Sequence, residues 1–417
     1  MKTLNIAVAG CGPAGLASAL LLSRDGHHVS VFERFDAPRP VGSGLIIQPT
    51  GLAVLRAMGL DQAVIAAGAR IDRLFGKAVP SNRTVLDVRY VALDRASFGV
   101  GIHRAALFDI LFQAVRAVDI PIFTDRTVID APLVSGDQRD IVFADGERSG
   151  PFDLVVDALG AASSLASCDG RALAYGALWA SLDWPAQADF SIDALEQRYV
   201  RASTMAGVMP IGLAPGAATP RAAFFWSLRA DHLEHWRNAG LDAWKREVLR
   251  LWPVTQSLLD QITRPEQLTF ARYAHRTVRA PAKLGLIHLG DAWHSTSPQL
   301  GQGANMALLD AFALSKALRE ADDPSRAPLR AVALRANHVR FYQSMSSLFT
   351  PVYQSDSHVL PWLRDRIAGP VSKIWPANKL LAAMVSGSLG NPLKRLELDV
   401  PDHAREAAAR ATAPTIQ

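Results

Sequence analysis

Residues 4–33 constrain the fold more tightly than any other stretch. An apolar run of strand length, Leu4 to Ala9, leads into GCGPAG at Gly10 to Gly15, and a helix-forming run from Pro13 to Asp25 closes at Gly26. Val29 to Phe32 is a second apolar strand, ended by Glu33. Strand, glycine turn, helix and strand within about thirty residues match a βαβ crossover. Gly10 permits the tight turn, Gly12 lets backbone amides approach a pyrophosphate, and Gly15 lets the helix pack closely on the sheet. The helix start at Pro13 and Ala14 offers free N–H groups and partial positive charge to phosphate. Glu33, with Arg34 beside it, stands where an acid bonds ribose hydroxyls. Its charge repels a 2′-phosphate, so FAD or NAD is expected rather than NADP.

A second glycine-rich segment, GDAWHSTSPQLGQGAN at Gly290 to Asn305, separates those two. Asp291 closes an apolar strand, where a carboxylate accepts bonds from a ribityl chain. Pro298 forces an extended turn, and Gly301 and Gly303 let bare backbone approach a flat ligand. A helix beginning near Ala304 and Asn305 then directs its N-terminus at that ligand. Reduced flavin is an anion on its pyrimidine ring, and such a helix end stabilises it. The resident cofactor is therefore read as FAD.

Composition narrows the class without naming a partner. Apolar residues make up 49% and charged residues 20% of 417, with 44 Lys and Arg against 39 Asp and Glu. That is ordinary for a globular protein, and the chain has no basic block of a nucleic-acid arm. The two cysteines, Cys11 and Cys168, suit a reduced cytoplasmic protein, since a disulfide at Cys11 would obstruct the glycine turn. Leu4 to Ser23 carries no charge, but its glycines and proline break it, so it reads as neither signal peptide nor membrane span.

The elements interleave. Ala106 to Val118 and Asn305 to Arg319 read as helices; Asp153 to Ala158 and Leu284 to Leu289 read as buried strands. Residues 71–98 and 171–270 alternate in the manner of strands, and they hold most of the tryptophans. The expected fold is mixed α/β. A Rossmann-like FAD-binding domain with a parallel sheet (1–72, 98–170 and 271–340) is interleaved with an antiparallel-sheet substrate domain (73–97 and 171–270). A helical region (341–417) follows, and its tail from Ala404 is expected to fray.

These motifs together resemble the single-component FAD-dependent aromatic hydroxylases, the para-hydroxybenzoate hydroxylase-like group, over roughly residues 1 to 345. GCGPAG with Glu33 is similar to that family's FAD-adenosine motif. HRAALFDIL at His103 to Leu111 resembles the segment whose arginine, here Arg104, reaches the FAD phosphate and ribityl region. The second glycine segment resembles the family's GD motif, with Asp291 on ribityl and Pro298 and the glycines lining the flavin ring. The family also has a GADG segment tied to NAD(P)H and flavin-diphosphate contacts. Here it reads DALG at Asp157 to Gly160, with Leu159 replacing the aspartate and Ala166 standing at the arginine position. Trp293 stands where the family usually has alanine.

The resemblance implies insertion of one oxygen atom from O2, through a flavin C4a-hydroperoxide, into an aromatic or polyene-like molecule, with NAD(P)H as a transient donor. Such chemistry needs an apolar, water-excluding box. Trp179, Met205, Met209, Phe224 and Trp226 are its candidate walls, although a sheet core requires the same residues. Tyr273 and His275 are candidates to orient a phenolic substrate or accept its proton. His294, His232 and His235 read as structural or solvated. No metal motif and no GxSxG elbow is present. Two rivals stay open: a flavin reductase without oxygen insertion, favoured by DALG, and a non-enzymatic redox sensor. A homodimer is also left open.

Overall fold

The computed structural model describes residues 2–36, 43–167, 170–187 and 189–400. Cys168 and the tail from Ala404 lie outside these. The first half runs β1 (Asn5–Ala9), α1 (Pro13–Arg24), β2 (His28–Phe32), β3 (Gly44–Ile47), α2 (Pro49–Ala57), β4 (Arg73–Ala78), β5 (Thr84–Arg89), α3 (Arg104–Arg116) and β6 (Leu154–Asp157). Four long strands follow: β7 (Tyr175–Asp183), β8 (Ala194–Val200), β9 (Thr204–Pro210) and β10 (Arg221–Arg229). The chain continues with α4 (Leu241–Leu251), β11 (Ala274–Thr277), β12 (Leu286–His288), α5 (Gly303–Arg319), α6 (Ala327–Tyr353), α7 (Val359–Val371) and α8 (Ala377–Val385). Short strands and 3-10 turns connect these elements.

Among the described residues the first sheet has six strands, in the order Ala282–Lys283, β12, β6, β1, β2, Ile122–Phe123. All of its pairings are parallel except that of the Ala282–Lys283 edge strand. Parallel sheets are covered on both faces, and β1 is apolar after its exposed first residue, Asn5, for that reason: Ile6, Ala7, Val8 and Ala9 are all fully buried. Residues Ala14 to Leu22 of α1 are buried continuously, because the helix is enclosed by this sheet and by α5.

The second sheet has seven strands, ordered Thr269–Ala271, β7, β10, β9, β8, β4, β5. It is antiparallel except where β8 runs parallel to β4. β4 and β5 thus join strands more than a hundred residues downstream. Helix α4 covers one face of this sheet, and β3 packs against the other through Ile46. Helix α6 runs unbroken through position 340, so residues 327–353 form one element.

Candidate functional site

Register alone assembles the site. Ala9 pairs with Phe32 and with Asp157, and Asp157 pairs with His288. The carboxyl ends of β1, β2, β6 and β12 therefore lie along one edge, and the turns after them carry Gly10, Glu33, Gly160 and Asp291. This edge of an open α/β sheet is where ligands bind.

At the first turn, a Cβ on Gly15 would sit 1.9 Å from the Gly10 carbonyl oxygen, so helix and turn touch through bare backbone. A Cβ on Gly12 would meet nothing closer than the Ala158 carbonyl oxygen at 4.0 Å, so this position opens onto free space. Pro13 begins α1, and Gly12 caps it with extended backbone. The buried Glu33 carboxylate accepts from the Cys11 amide at 2.8 Å and from the Phe35 amide at 3.3 Å, which ties the acid to the glycine turn. Arg34 is exposed, its guanidinium 4.7 Å over the Phe35 ring. Burial and the Glu33 charge push the Cys11 thiol up to about 12, which keeps it protonated and inert.

The second segment folds against the first. Gly290 fits between Ala14 and Ala307, each 3.2 Å from where its Cβ would be. Its amide donates to Asp310 at 3.0 Å. His294 Nε2 donates to the same carboxylate oxygen at 2.6 Å, and Arg335 Nε donates to the other at 2.8 Å. Burial alone would raise the Asp310 pKa, but His294 and Arg335 hold it below the usual carboxylate range. This buried cluster fixes the backbone entering the turn. Pro298 to Leu300 is a 3-10 turn that ends at Gly301 with φ +60°, and α5 starts at Gly303. Asp291 and Pro298 are exposed, and a Cβ on Gly303 would meet nothing within 4 Å. Surrounding protein raises the Asp291 pKa, and the charges of His294 and Arg104 offset this. An open carboxylate ringed by protein marks the floor of a cleft. Arg104, the first residue of α3 after its His103 cap, is exposed on the same cleft.

The side chains of two expected cofactor contacts are bonded within the protein. Asp157 is fully buried, with its oxygens taken by the Leu159 amide (3.0 Å), Ser163 Oγ (2.6 Å) and His288 Nδ1 (2.6 Å). It holds strand ends together, while Gly160 beside it sits at φ +79° in the turn. Asn305 is also fully buried: its Oδ1 accepts from the Gln48 amide (2.8 Å), and its Nδ2 donates to Ile46 (3.1 Å) and Gly301 (3.0 Å) carbonyls. It staples β3 to the flavin turn. Ala304 is half-buried beside it.

The sequence reading missed Gln48. Its side chain is fully buried, and Oε1 accepts from Tyr90 Oη at 2.5 Å. Nε2 has no partner among the described residues and lies 3.6 Å from where a Gly301 Cβ would be. A phenol proton needs an acceptor, so Tyr90 fixes which end of the amide faces the turn.

The candidate walls divide by strand alternation. Trp179 pairs with Phe225, Ala180 with Phe224 and Leu178 with Trp226. Phe224 and Trp226 therefore point to the far face, where both meet Trp244 of α4 edge-on at 6.0 and 6.4 Å. They are core residues, and the box reading for them is overturned. Trp179 and Phe225, with ring centroids 4.7 Å apart, share the near face with Met209, which packs on Ile46. Met205 lies beside Phe225 on this face. Trp179 Nε1 donates to Tyr273 Oη at 2.9 Å, and burial, offset by that bond and by Arg104, pushes Tyr273 up to about 12.

His275 Nε2 lies 3.4 Å from Thr350 Oγ1, whose own proton goes to the Ser346 carbonyl at 2.6 Å. The imidazole therefore carries its hydrogen on Nε2, leaving on Nδ1 a buried lone pair with no partner among the described residues. Burial lowers its pKa, so the ring is neutral. Ser297 Oγ, one residue before Pro298, is 2.8 Å from the same threonine. Trp293 is 4% exposed and packs in one apolar cluster with Ala166, Val339 and Tyr342, so its bulk goes into the α6 contact.

The residues present fit an FAD. The Gly12 opening and the start of α1 suit the pyrophosphate, Glu33 the ribose, and Asp291 with Arg104 the ribityl chain. The orphaned Gln48 donor and the start of α5 suit the polar edge of the flavin.

Known proteins agree. The model of the FAD binding domain family matches residues 3–128 and 142–323. The chain is 28% identical over 394 residues to the aurachin C monooxygenase/isomerase of Stigmatella aurantiaca, covering 88% of this chain and 94% of that protein. It is 27% identical over 390 residues to the kynurenine 3-monooxygenase of Stenotrophomonas maltophilia, covering 88% and 81%. Its fold is similar to that of Klebsiella pneumoniae HpxO complexed with FAD and uric acid, with a TM-score of 0.78 at 20% identity, covering 93% and 98%. Among the described residues no helix is long and apolar enough to cross a membrane. With the nucleotide cradle and the flavin turn packed together through Gly290, and with that match spanning both, the chain belongs to the FAD binding domain family.

Proposed function

We propose that the protein is an FAD-dependent monooxygenase that inserts one atom of O2 into a small aromatic or apolar molecule, with NAD(P)H as the reductant. The observation that carries this is the joining of the nucleotide-binding edge to an apolar sheet face. Trp179, Phe225 and Met209 share the face on which β3 packs, and Asn305 ties β3 to the turn before α5. Relatives bearing monooxygenase names support the same reading. When bound, FAD supplies the redox chemistry with oxygen.

The chain's own residues do the rest. The start of α1 holds the pyrophosphate, Glu33 the ribose, and Asp291 and Arg104 the ribityl chain. The start of α5 and Gln48 Nε2 favour negative charge at the flavin's polar edge. Tyr273, held by Trp179, orients the substrate, and His275 accepts a phenolic proton at Nδ1. The near face of the second sheet excludes water. We assign 1–72, 98–170 and 271–353 to the FAD domain and 73–97 and 171–270 to the substrate domain. The unbroken α6 moves the start of the C-terminal region to 354. A cytoplasmic location suits an enzyme fed by NAD(P)H.

A reductase without oxygen insertion is the second reading. Ala166 favours it, because it sits in an apolar cluster at the position where the family has an arginine. Stopped-flow reduction by NADH and NADPH, followed by turnover under 18O2 with a phenol panel, separates the two. Monooxygenation expects substrate-stimulated reduction and one labelled oxygen in the product. Reduction with unlabelled product and stoichiometric hydrogen peroxide would retire it.

A further inference from the structure

Exposed apolar side chains crowd into one segment that the flavin chemistry does not use. On α7, Val359, Leu363, Ile367 and Val371 follow one another at four-residue spacing and are 41–71% exposed. That spacing places them in a single row along the helix. Trp362 beside the row is 54% exposed, and Trp375 just past the helix is 76% exposed. Every other tryptophan of the chain is buried or half-buried.

The charge around this row is mostly basic: the acid of α7, Asp365, is paired with Arg364 at 2.7 Å. From Arg366 to Arg395 the chain contains Lys373, Lys379 and Lys394 but no aspartate or glutamate. The Arg366 guanidinium lies 4.3 Å over the Trp362 ring, so the basic rim and the aromatic row are interleaved. Beneath the row, Leu363, Ile367 and Val371 also line an apolar cavity of about 330 Å³, together with Phe349, Tyr353 and Leu381. Tyr353 packs onto the cluster that holds Phe225 and Trp179, so apolar surface continues from this face towards the substrate wall.

We propose that α7 and the turn after it dock on an anionic lipid bilayer surface, with Trp362 and Trp375 in the headgroup layer. A row of apolar and tryptophan side chains rimmed by lysine and arginine is the pattern of helices that lie in a membrane interface. The basic residues gain from anionic headgroups over a screened distance. A second copy of the chain fits this face poorly. Two-fold pairing of α7 would bring Arg366, Lys373 and Lys379 of both copies together, with Asp365 as the helix's acid and already paired to Arg364.

The test uses the FAD-loaded full chain with sedimented vesicles of phosphatidylcholine alone or with phosphatidylglycerol. The protein should co-sediment with the anionic vesicles and stay in solution with the neutral ones, and tryptophan emission should shift to the blue on binding. Lys373→Glu with Lys379→Glu should lower anionic partitioning by about tenfold or more. Ile374, 59% exposed, adjoins Trp375, and Ile374→Ser with Trp375→Ser should weaken the emission shift and leave the part that Trp362 contributes. Both pairs should keep FAD content, far-UV circular dichroism and basal NAD(P)H oxidation. Absence of vesicle binding overturns the proposal. So does a dimer in analytical ultracentrifugation that the Ile374→Ser, Trp375→Ser pair converts to monomer, since the face would then belong to a second copy.

Discussion

Gly12 and Gly15 lie three residues apart in the same turn and do opposite work. Gly15→Ala drives a methyl group into the Gly10 carbonyl, a contact backbone cannot yield, and is expected to cost stability outright. Gly12 has φ −69°, which alanine adopts freely, and its missing Cβ faces open space. Gly12→Ala is therefore expected to keep the thermal midpoint of the apoprotein while weakening FAD binding by about tenfold or more. Equal stability losses in the two variants, read by thermal unfolding, would show that Gly12 is only structural. Gln48 admits a similar separation. Gln48→Leu strands the buried Tyr90 hydroxyl, at a cost of about 1–3 kcal/mol. Adding Tyr90→Phe should restore most of that stability, yet FAD affinity should stay about fivefold low, because one ligand hydrogen bond is gone. Wild-type affinity in the double variant, measured by flavin fluorescence titration, would reduce Gln48 to a packing residue.

Strand β10 puts the same contrast into neighbouring residues of one element. Phe224 points towards α4 and Phe225 towards the cleft, because successive side chains on a strand leave opposite faces. Phe224→Ala is expected to lose about 3–5 kcal/mol of stability, the usual cost of emptying a phenylalanine site in a core, with KM unchanged. Phe225→Ala removes the ring packed against Trp179 and is expected to raise KM for the substrate. Urea unfolding and steady-state kinetics on both variants check the pair; a KM effect confined to Phe224→Ala would reverse the assignment of faces.

At the scale of the molecule, the elements are tied by buried polar groups with perturbed protonation. His338 on α6 accepts from Arg335 Nη1 at 2.8 Å and donates to the Gly387 carbonyl at 2.9 Å. Burial, reinforced by the Arg335 charge, lowers it to about 3 from 6.5. The unfolded histidine takes up a proton below about pH 6.5 and the folded one does not, so stability falls as pH drops from there towards 3. The slope from this one group is about 1.4 kcal/mol per pH unit. His103 and His275, also lowered by burial, act in the same direction. Asp310 adds its share only in stronger acid, since a carboxylate held low stabilises above its unfolded pKa and loses that as pH falls further. His338→Gln can keep both hydrogen bonds without titrating. It should flatten the dependence of unfolding free energy on pH between 6.5 and 5 by roughly that slope. An unchanged slope would mean that His338 titrates normally in the fold.

Local sequence carried the nucleotide half almost whole. A glycine turn between strand and helix is a short-range object, and GCGPAG with Glu33 states its own geometry because backbone freedom and helix-end charge act within a few residues. The flavin turn was legible for the same reason, through Pro298, Gly301 and Gly303. Direction and occupancy were not. Whether Phe224 or Phe225 faces the cleft depends on a register set by β7 and β9, and whether Asp157 and Asn305 reach a ligand depends on His288, Ser163 and Gln48 taking their hydrogen bonds first. Gln48 itself gave no signal, since nothing near it in sequence says that Tyr90 will hold its amide. Sequence alone determined which groups are capable of binding FAD; tertiary packing decided which of them were left free to do so, because a buried polar atom bonds to whatever partner the fold brings within about 3 Å.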